Sequence, residues 1–218
     1  MFLHQGVWLP DGEKHFPKWM DVNGEIVDGR GTYQIKKWRA CLPWIRNWRR
    51  AVDVGGHVGF WSMQMATRFN RVEAFEPVEA MRDCYSQNLG ARINVALYAL
   101  ALGDKPGVVE MAYDRADSGG THVKAEGSGN VPIATLDSFG WTDVDFVKID
   151  CEGFEHRVLA GARETLLRCK PCVIVEQKPH KLKPNFGIDG APALEYLRDL
   201  GAHMRTAIGG DYIFAWDE

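Results

Sequence analysis

The run Ala51-Val52-Asp53-Val54-Gly55-Gly56-His57-Val58-Gly59 constrains this chain more than any other stretch. An apolar strand ends in an acid, turns through glycines and leads directly into a helical pattern. Glycine lets the backbone turn and approach a ligand where a Cβ would collide, and the free N–H groups of the next helix point at the same place. A strand–turn–helix unit of this kind seats a nucleotide-like cofactor at a parallel sheet. A second acid, Glu76 in Val72-Glu73-Ala74-Phe75-Glu76-Pro77, closes the next apolar run 23 positions after Asp53. An acid about 20 residues on, at the tip of the second strand, accepts hydrogen bonds from ribose hydroxyls.

The pattern also discriminates between cofactors. A dinucleotide fingerprint needs glycine where the pyrophosphate comes closest, and counted from Gly55 that position is His57. Asp53 at the mouth would repel phosphates and suits a cation. S-adenosylmethionine carries an ammonium and a sulfonium, has no phosphate, and still offers a ribose diol to Glu76. A nicotinamide-dependent oxidoreductase is disfavoured on the same two residues.

Further words follow in order along the chain: Ala101-Leu102-Gly103-Asp104, Thr135-Leu136-Asp137-Ser138, Val147-Lys148-Ile149-Asp150-Cys151-Glu152-Gly153-Phe154-Glu155 and Val158-Leu159-Ala160-Gly161. With the two acid-ended strands, this ordered set resembles the FkbM-type S-adenosylmethionine-dependent methyltransferases over roughly residues 50 to 180. Two departures stand out. Gly56-His57 sits where the family often has a small residue and Asn, and Cys151 where it often has Val. The resemblance implies a Rossmann-like class I methyltransferase fold: a mostly parallel seven-stranded sheet with helices on both faces, an antiparallel last strand and a small β insertion. Cofactor contacts are expected from Asp53, Gly55, Gly56, His57, Gly59, Glu76, Pro77, Ala101, Leu102, Asp104 and Asp150.

Composition agrees with a globular α/β enzyme. The 218 residues are 45% hydrophobic with net charge −3, which argues against a general nucleic-acid footprint. No run of about 18 apolar residues exists to span a bilayer, and the N-terminus lacks the pattern of a signal peptide. A cytoplasmic location with neither membrane nor nucleic-acid partner is the expectation. The five cysteines include one C-x-x-C, Cys169 and Cys172, read as small apolar residues around Pro171 rather than a redox pair.

Strands are expected at 51–54, 72–75, 93–100, 146–150, 172–177 and 211–216, and helices at 58–69, 78–89, 154–168 and 191–200. The segment 105–134 reads instead as two strands, 107–113 and 130–134, flanking a Gly/Ser/Asp-rich loop. Residues 1–50 form an N-terminal extension before a methyltransferase domain over 51–218. Within that extension, Lys36-Lys37-Trp38-Arg39 and Trp44-Ile45-Arg46-Asn47-Trp48-Arg49-Arg50 interleave aromatics with cations. They read either as a lid over an acceptor or, the favoured reading, as an amphipathic helix packing Trp44, Ile45 and Trp48 on the sheet.

Ligands of open α/β sheets bind beyond the carboxyl ends of the strands, so the acids should converge on one rim. Methyl transfer to a hydroxyl needs an aligned acceptor and a base. Asp150, Glu176 and His180 are the catalytic candidates, with Glu152 at the same rim. Asp150, Glu176 and His180 also suit a divalent metal, oxygen-rich with one imidazole. Acids at Glu152 and Glu155 equally suit the first turn of a helix. The expected acceptor is a small hydroxylated molecule such as a sugar. N-methylation and a non-catalytic cofactor-binding protein are the alternatives.

Overall fold

The structure is a computed structural model and describes residues 1–178 and 186–217. Fifteen strands and seven α-helices are described. The N-terminal part holds a hairpin of β1 (Phe2–His4) and β2 (Val7–Leu9), α1 (His15–Asn23), a short pair β3 (Ile26–Val27) and β4 (Arg30–Gly31), and α2 (Ile35–Cys41). Then β5 (Arg50–Val54), α3 (Phe60–Met65), β6 (Arg71–Phe75), α4 (Glu79–Leu89) and β7 (Val95–Tyr98) alternate as a parallel array. Strands β8 (Ala101–Leu102), β9 (Gly107–Ala112), β10 (His122–Glu126) and β11 (Val131–Ala134) make a separate small sheet. The chain returns through β12 (Val144–Ile149), α5 (Glu155–Ala160), α6 (Arg163–Cys169), β13 (Cys172–Glu176), α7 (Pro192–Asp199), β14 (His203–Ile208) and β15 (Asp211–Ala215).

The main sheet has seven strands in the order β14-β15-β13-β12-β5-β6-β7. Six of its strands run in one direction, and β15 alone is antiparallel, between β13 and the edge strand β14. Sequence order reverses between β12 and β5, which makes the crevice beyond their carboxyl ends the place for a ligand. The alternation of strand side chains builds two cores. Val52, Val54, Val147 and Ile149 pack under α5 to α7, whereas Ala51, Val72, Ala74 and Phe146 pack under α2 and α3.

The β insertion is present and has two strands more than the sequence suggested, β8 and β10. The expected strand 93–100 is shorter, and Ala101–Leu102 leaves the main sheet to pair with β11. The expected helix 154–168 breaks into α5 and α6 at Gly161, where the backbone comes so close to the Gly103 carbonyl that a Cβ would collide. Strand β14 has no clear strand pattern in the sequence: His203 to Ile208 mix polar with apolar residues and are half exposed, as an edge strand permits.

Residues 45–50 are not helical. Helix α2 passes into a 3-10 turn, Leu42–Trp44, and the chain then extends from Ile45 toward β5. The packing expected of the aromatics survives without the helix: Ile45 is buried, and Trp48 meets Phe69 edge-on at 4.9 Å. Five of the six cations have structural partners, Lys37 with Asp211, Arg39 with Glu25, Arg46 with the Trp216 carbonyl, Arg49 with Asp145, and Arg50 with Glu73 and Asp143. All five cysteines are free. Among the described residues, no helix is long and apolar enough to cross a membrane.

Candidate functional site

Between the strand tips lies a cleft of about 300 Å³. Its floor comes from the turn after β5, where Gly55 has φ +76 and a Cβ there would collide with the Asp150 carbonyl oxygen. Only glycine fits that combination of dihedral and approach. The N–H groups of Gly55 and Gly56 both donate to the Phe75 carbonyl at the end of β6, at 3.1 and 3.0 Å. His57 follows in the left-handed region, φ 50, and its N–H donates to Glu76 Oε2 at 2.8 Å. Glu76 Oε1 accepts the Val78 N–H at 2.8 Å. Each carboxylate oxygen therefore keeps a lone pair for a ligand hydroxyl. Burial pushes the Glu76 carboxyl up to about 7, against the opposing pull of those two N–H bonds.

Gly55, Gly56, His57, Glu76, Pro77, Ala101, Leu102, Asp150 and Glu176 all line the cleft. Three expected contacts do not. Asp53 is fully buried beneath the turn, where Oδ2 accepts a hydrogen bond from Ser62 Oγ at 2.6 Å and Oδ1 lies 3.3 Å from Lys148 Nζ. Its alternation along β5 points it into the α2/α3 face of the sheet, so it meets a neighbouring strand's lysine instead of a ligand. Gly59 starts α3 with φ +95 and packs against Tyr85 and Leu89. Asp104 turns outward and pairs with Arg157 at 2.7 Å. His180 lies outside the described residues.

Asp150, Glu152 and Glu176 each offer a carboxylate oxygen within 4.8 Å of the others. Such a set could hold a hard divalent cation. Glu176 is also paired with Lys178. Glu152 adopts φ 55, an uncommon backbone conformation for a residue with a side chain. The turn that holds it there is braced by Glu155, whose carboxylate accepts the N–H groups of Cys151 and Gly153 at 3.0 Å each. Burial raises the Glu155 carboxyl to about 7. Glu155 is thus a structural cap, while Glu152 faces the cleft.

The roof was not legible in the sequence. His15 and Phe16 from the start of α1, Tyr33 before α2, and residues 117–123 of the insertion close over the glycine turn. Glu13 ties these pieces together. Its Oε1 accepts the N–H groups of His15 and Phe16, capping α1, and its Oε2 accepts the Ser118 N–H at 2.8 Å and the Ser118 hydroxyl. Ser118 Oγ in turn lies 2.8 Å from His57 Nε2. Serine has one proton and the carboxylate takes it, so His57 must donate from Nε2 and keep Nδ1 unprotonated. Burial pulls the His57 imidazole down to about 4 and keeps it neutral. Its ring packs against Phe16, at 4.7 Å, and lies 6.4 Å from Phe60. The sequence signal for this chain was faint: an acid two residues before the helix, and a serine in a glycine-rich loop.

Strand order, the switch point and a glycine turn beside an acid-tipped second strand define a class I methyltransferase fold. The sequence matches the family model described as methyltransferase FkbM domain over residues 53–204, and the chain belongs to that family. Among solved structures it is similar to precorrin-6y C5,15-methyltransferase from Geobacter metallireducens, at 16% identity and TM-score 0.51, over 86% of this chain and 93% of that one. An rRNA methylase from Streptococcus thermophilus gives 14% identity and TM-score 0.51, over 85% and 98%. A methyltransferase FkbM from Methylobacillus flagellatus gives 15% and 0.49; 76% of this chain aligns, spanning 42% of that protein. No curated protein matches the sequence.

Proposed function

We propose that the chain transfers the methyl group of S-adenosylmethionine to a hydroxyl of a small polar acceptor, of sugar-like or similar hydroxylated chemistry. The observation that carries this reading is the opposition, in one cleft, of the Glu76 carboxylate at the tip of β6 and the carboxylates of Asp150, Glu152 and Glu176 at the tips of β12 and β13. Glu76 suits a ribose diol. The second group of acids suits an acceptor hydroxyl, whose proton must leave as the methyl arrives.

Aromatic faces of Phe16, Tyr33 and Phe60 lie across the same cleft. Apolar rings opposite carboxylates favour a flat acceptor that presents hydroxyls on one edge. In-line displacement at an activated methyl needs mainly alignment, which a roofed cleft supplies by excluding water and fixing the approach. Asp150 is the base in this reading, and Glu176 orients the acceptor. His57, neutral with a pKa near 4, is too weak a base for a hydroxyl proton.

Two measurements test the reading. Calorimetry should show S-adenosylhomocysteine binding and no comparable binding of NAD; tighter NAD binding would overturn it. Mass spectrometry of a panel of hydroxylated and amine acceptors, incubated with methyl-labelled S-adenosylmethionine, should place the label on oxygen.

A further inference from the structure

Lys148 is a charge where the sheet should hold none. It lies in the middle strand between Val147 and Ile149, only 5% exposed, two residues on from Phe146 and therefore on the apolar α2/α3 face. The parallel register sets it directly beside Asp53 on β5. Its ammonium donates to the Gly55 carbonyl at 2.6 Å and the Val54 carbonyl at 3.2 Å, and Asp53 Oδ1 lies 3.3 Å away as the counter-charge. Burial alone would lower its pKa, but the fields of Asp53 and Asp150 outweigh that and hold it charged.

Both hydrogen bonds go to the backbone at the glycine turn itself. The N–H groups of that turn are fixed from the β6 side by the Phe75 carbonyl and Glu76, and its first carbonyls are fixed from the β12 side by Lys148. Asp53, bound on its other oxygen by Ser62 of α3, contacts no cleft surface. Ion pairing alone would not require the lysine to reach past Asp53 to the two carbonyls.

We propose that Lys148 is a positioning residue for the cofactor: one buried ammonium, binding the Val54 and Gly55 carbonyls and neutralised by Asp53, sets the shape of the turn that receives S-adenosylmethionine. Asp53 acts through Lys148 rather than on the ligand. This inference rests on the cofactor reading above, and wild-type binding of S-adenosylhomocysteine checks that reading independently.

The test compares the wild type with the pair Asp53→Asn/Lys148→Met in the full chain, by thermal unfolding and by calorimetry with S-adenosylhomocysteine. Lys148→Met alone would strand a buried carboxylate and unfold the sheet, whereas the pair removes both charges and keeps the volume. The pair should fold and yet bind S-adenosylhomocysteine at least about tenfold more weakly than the wild type, because two carbonyls lose a charged donor. Equal affinities would overturn the proposal and leave Lys148 as a counter-ion only. Should the pair fail to fold, Lys148→Arg decides. Arginine keeps the charge for Asp53, but its planar fork cannot reproduce the ammonium's three-way geometry. Weaker binding at an unchanged melting temperature supports the proposal, and unchanged binding overturns it. A wild-type protein that binds NAD and not S-adenosylhomocysteine refutes the cofactor reading itself, a result separate from either of these.

Discussion

The floor and the roof of the cleft are made in different ways. The floor is three adjacent strand tips, β6, β5 and β12, each followed closely by its functional residues, and the parallel ladder fixes their relative positions. The roof joins residues 13–33 to residues 117–123, segments about a hundred positions apart, through one buried carboxylate, Glu13, and one serine. A floor held by a continuous backbone ladder keeps its fold when a cleft-facing side chain such as Asp150 or Glu76 is replaced. A roof held by side chains should loosen when one is removed, so the two regions ought to respond differently to mutation.

The largest effect is expected on the floor. Asp150→Asn should retain fold and S-adenosylhomocysteine affinity while lowering methyl transfer by ~10²-fold or more, the scale of lost general-base assistance. Normal turnover would remove Asp150 from the chemistry. Chelation sharpens the result: a divalent ion held by Asp150, Glu152 and Glu176 predicts loss of wild-type activity in a chelator and recovery with Mg²⁺ or Mn²⁺. Unchanged turnover in the chelator leaves Asp150 as the base.

Next comes Glu76→Gln, which should weaken S-adenosylhomocysteine binding by about 1.5–3 kcal/mol, the worth of hydrogen bonds to a charged group. Because burial holds the wild-type carboxyl near 7, wild-type affinity should rise with pH through about 7. The variant should be flat over that range. A pH-dependence retained in Glu76→Gln would assign it to another group.

On the roof, Glu13→Ala should cost about 1–2 kcal/mol of stability through loss of the α1 cap and the Ser118 bonds. Its signature is elsewhere, in the His57 tautomer. Nitrogen NMR should find Nε2 protonated and Nδ1 bare in the wild type, and a tautomer mixture in Ser118→Ala. A protonated Nδ1 in the wild type would break the chain from Glu13 to His57.

The smallest effect sets two neighbours against each other. Glu76 has a raised folded-state pKa, so it contributes stability below its unfolded value that is lost as pH rises toward 7. His57 has a lowered one, so its contribution is present at neutral pH and is lost as pH falls from about 6.5 toward 4. The slopes oppose one another across the shared window, between about 4.5 and 6.5. Chemical denaturation should therefore show Glu76→Gln losing more stability than wild type as pH falls. His57→Asn should lose more than wild type as pH rises.

Much of this site could be read before the fold was known, since Gly55, Gly56, His57, Glu76, Pro77, Ala101, Leu102, Asp150 and Glu176 all reach the cleft. They follow strand ends directly, so local pattern and sheet topology suffice to place them. Asp53 was misplaced as a ligand because its direction depends on strand alternation and on which neighbour shares its face. Lys148 was visible as a cation inside an apolar strand, a signal that asks for a buried partner. Which partner it finds depends on the register between β12 and β5.

What the sequence determined by itself is the parallel array, its glycine turn and its acid-tipped strands, because each is encoded within one short window by periodicity, dihedral demands and chain punctuation. Tertiary structure alone decided that Asp53 is neutralised by Lys148, that Asp104 turns away to Arg157, and that Glu13, Ser118 and His57 form one chain across the cleft. Those pairings join residues 53 to 105 positions apart. Contacts at such separations carry no local signature, because closing a long loop is governed by the whole packed fold and not by the residues that happen to meet.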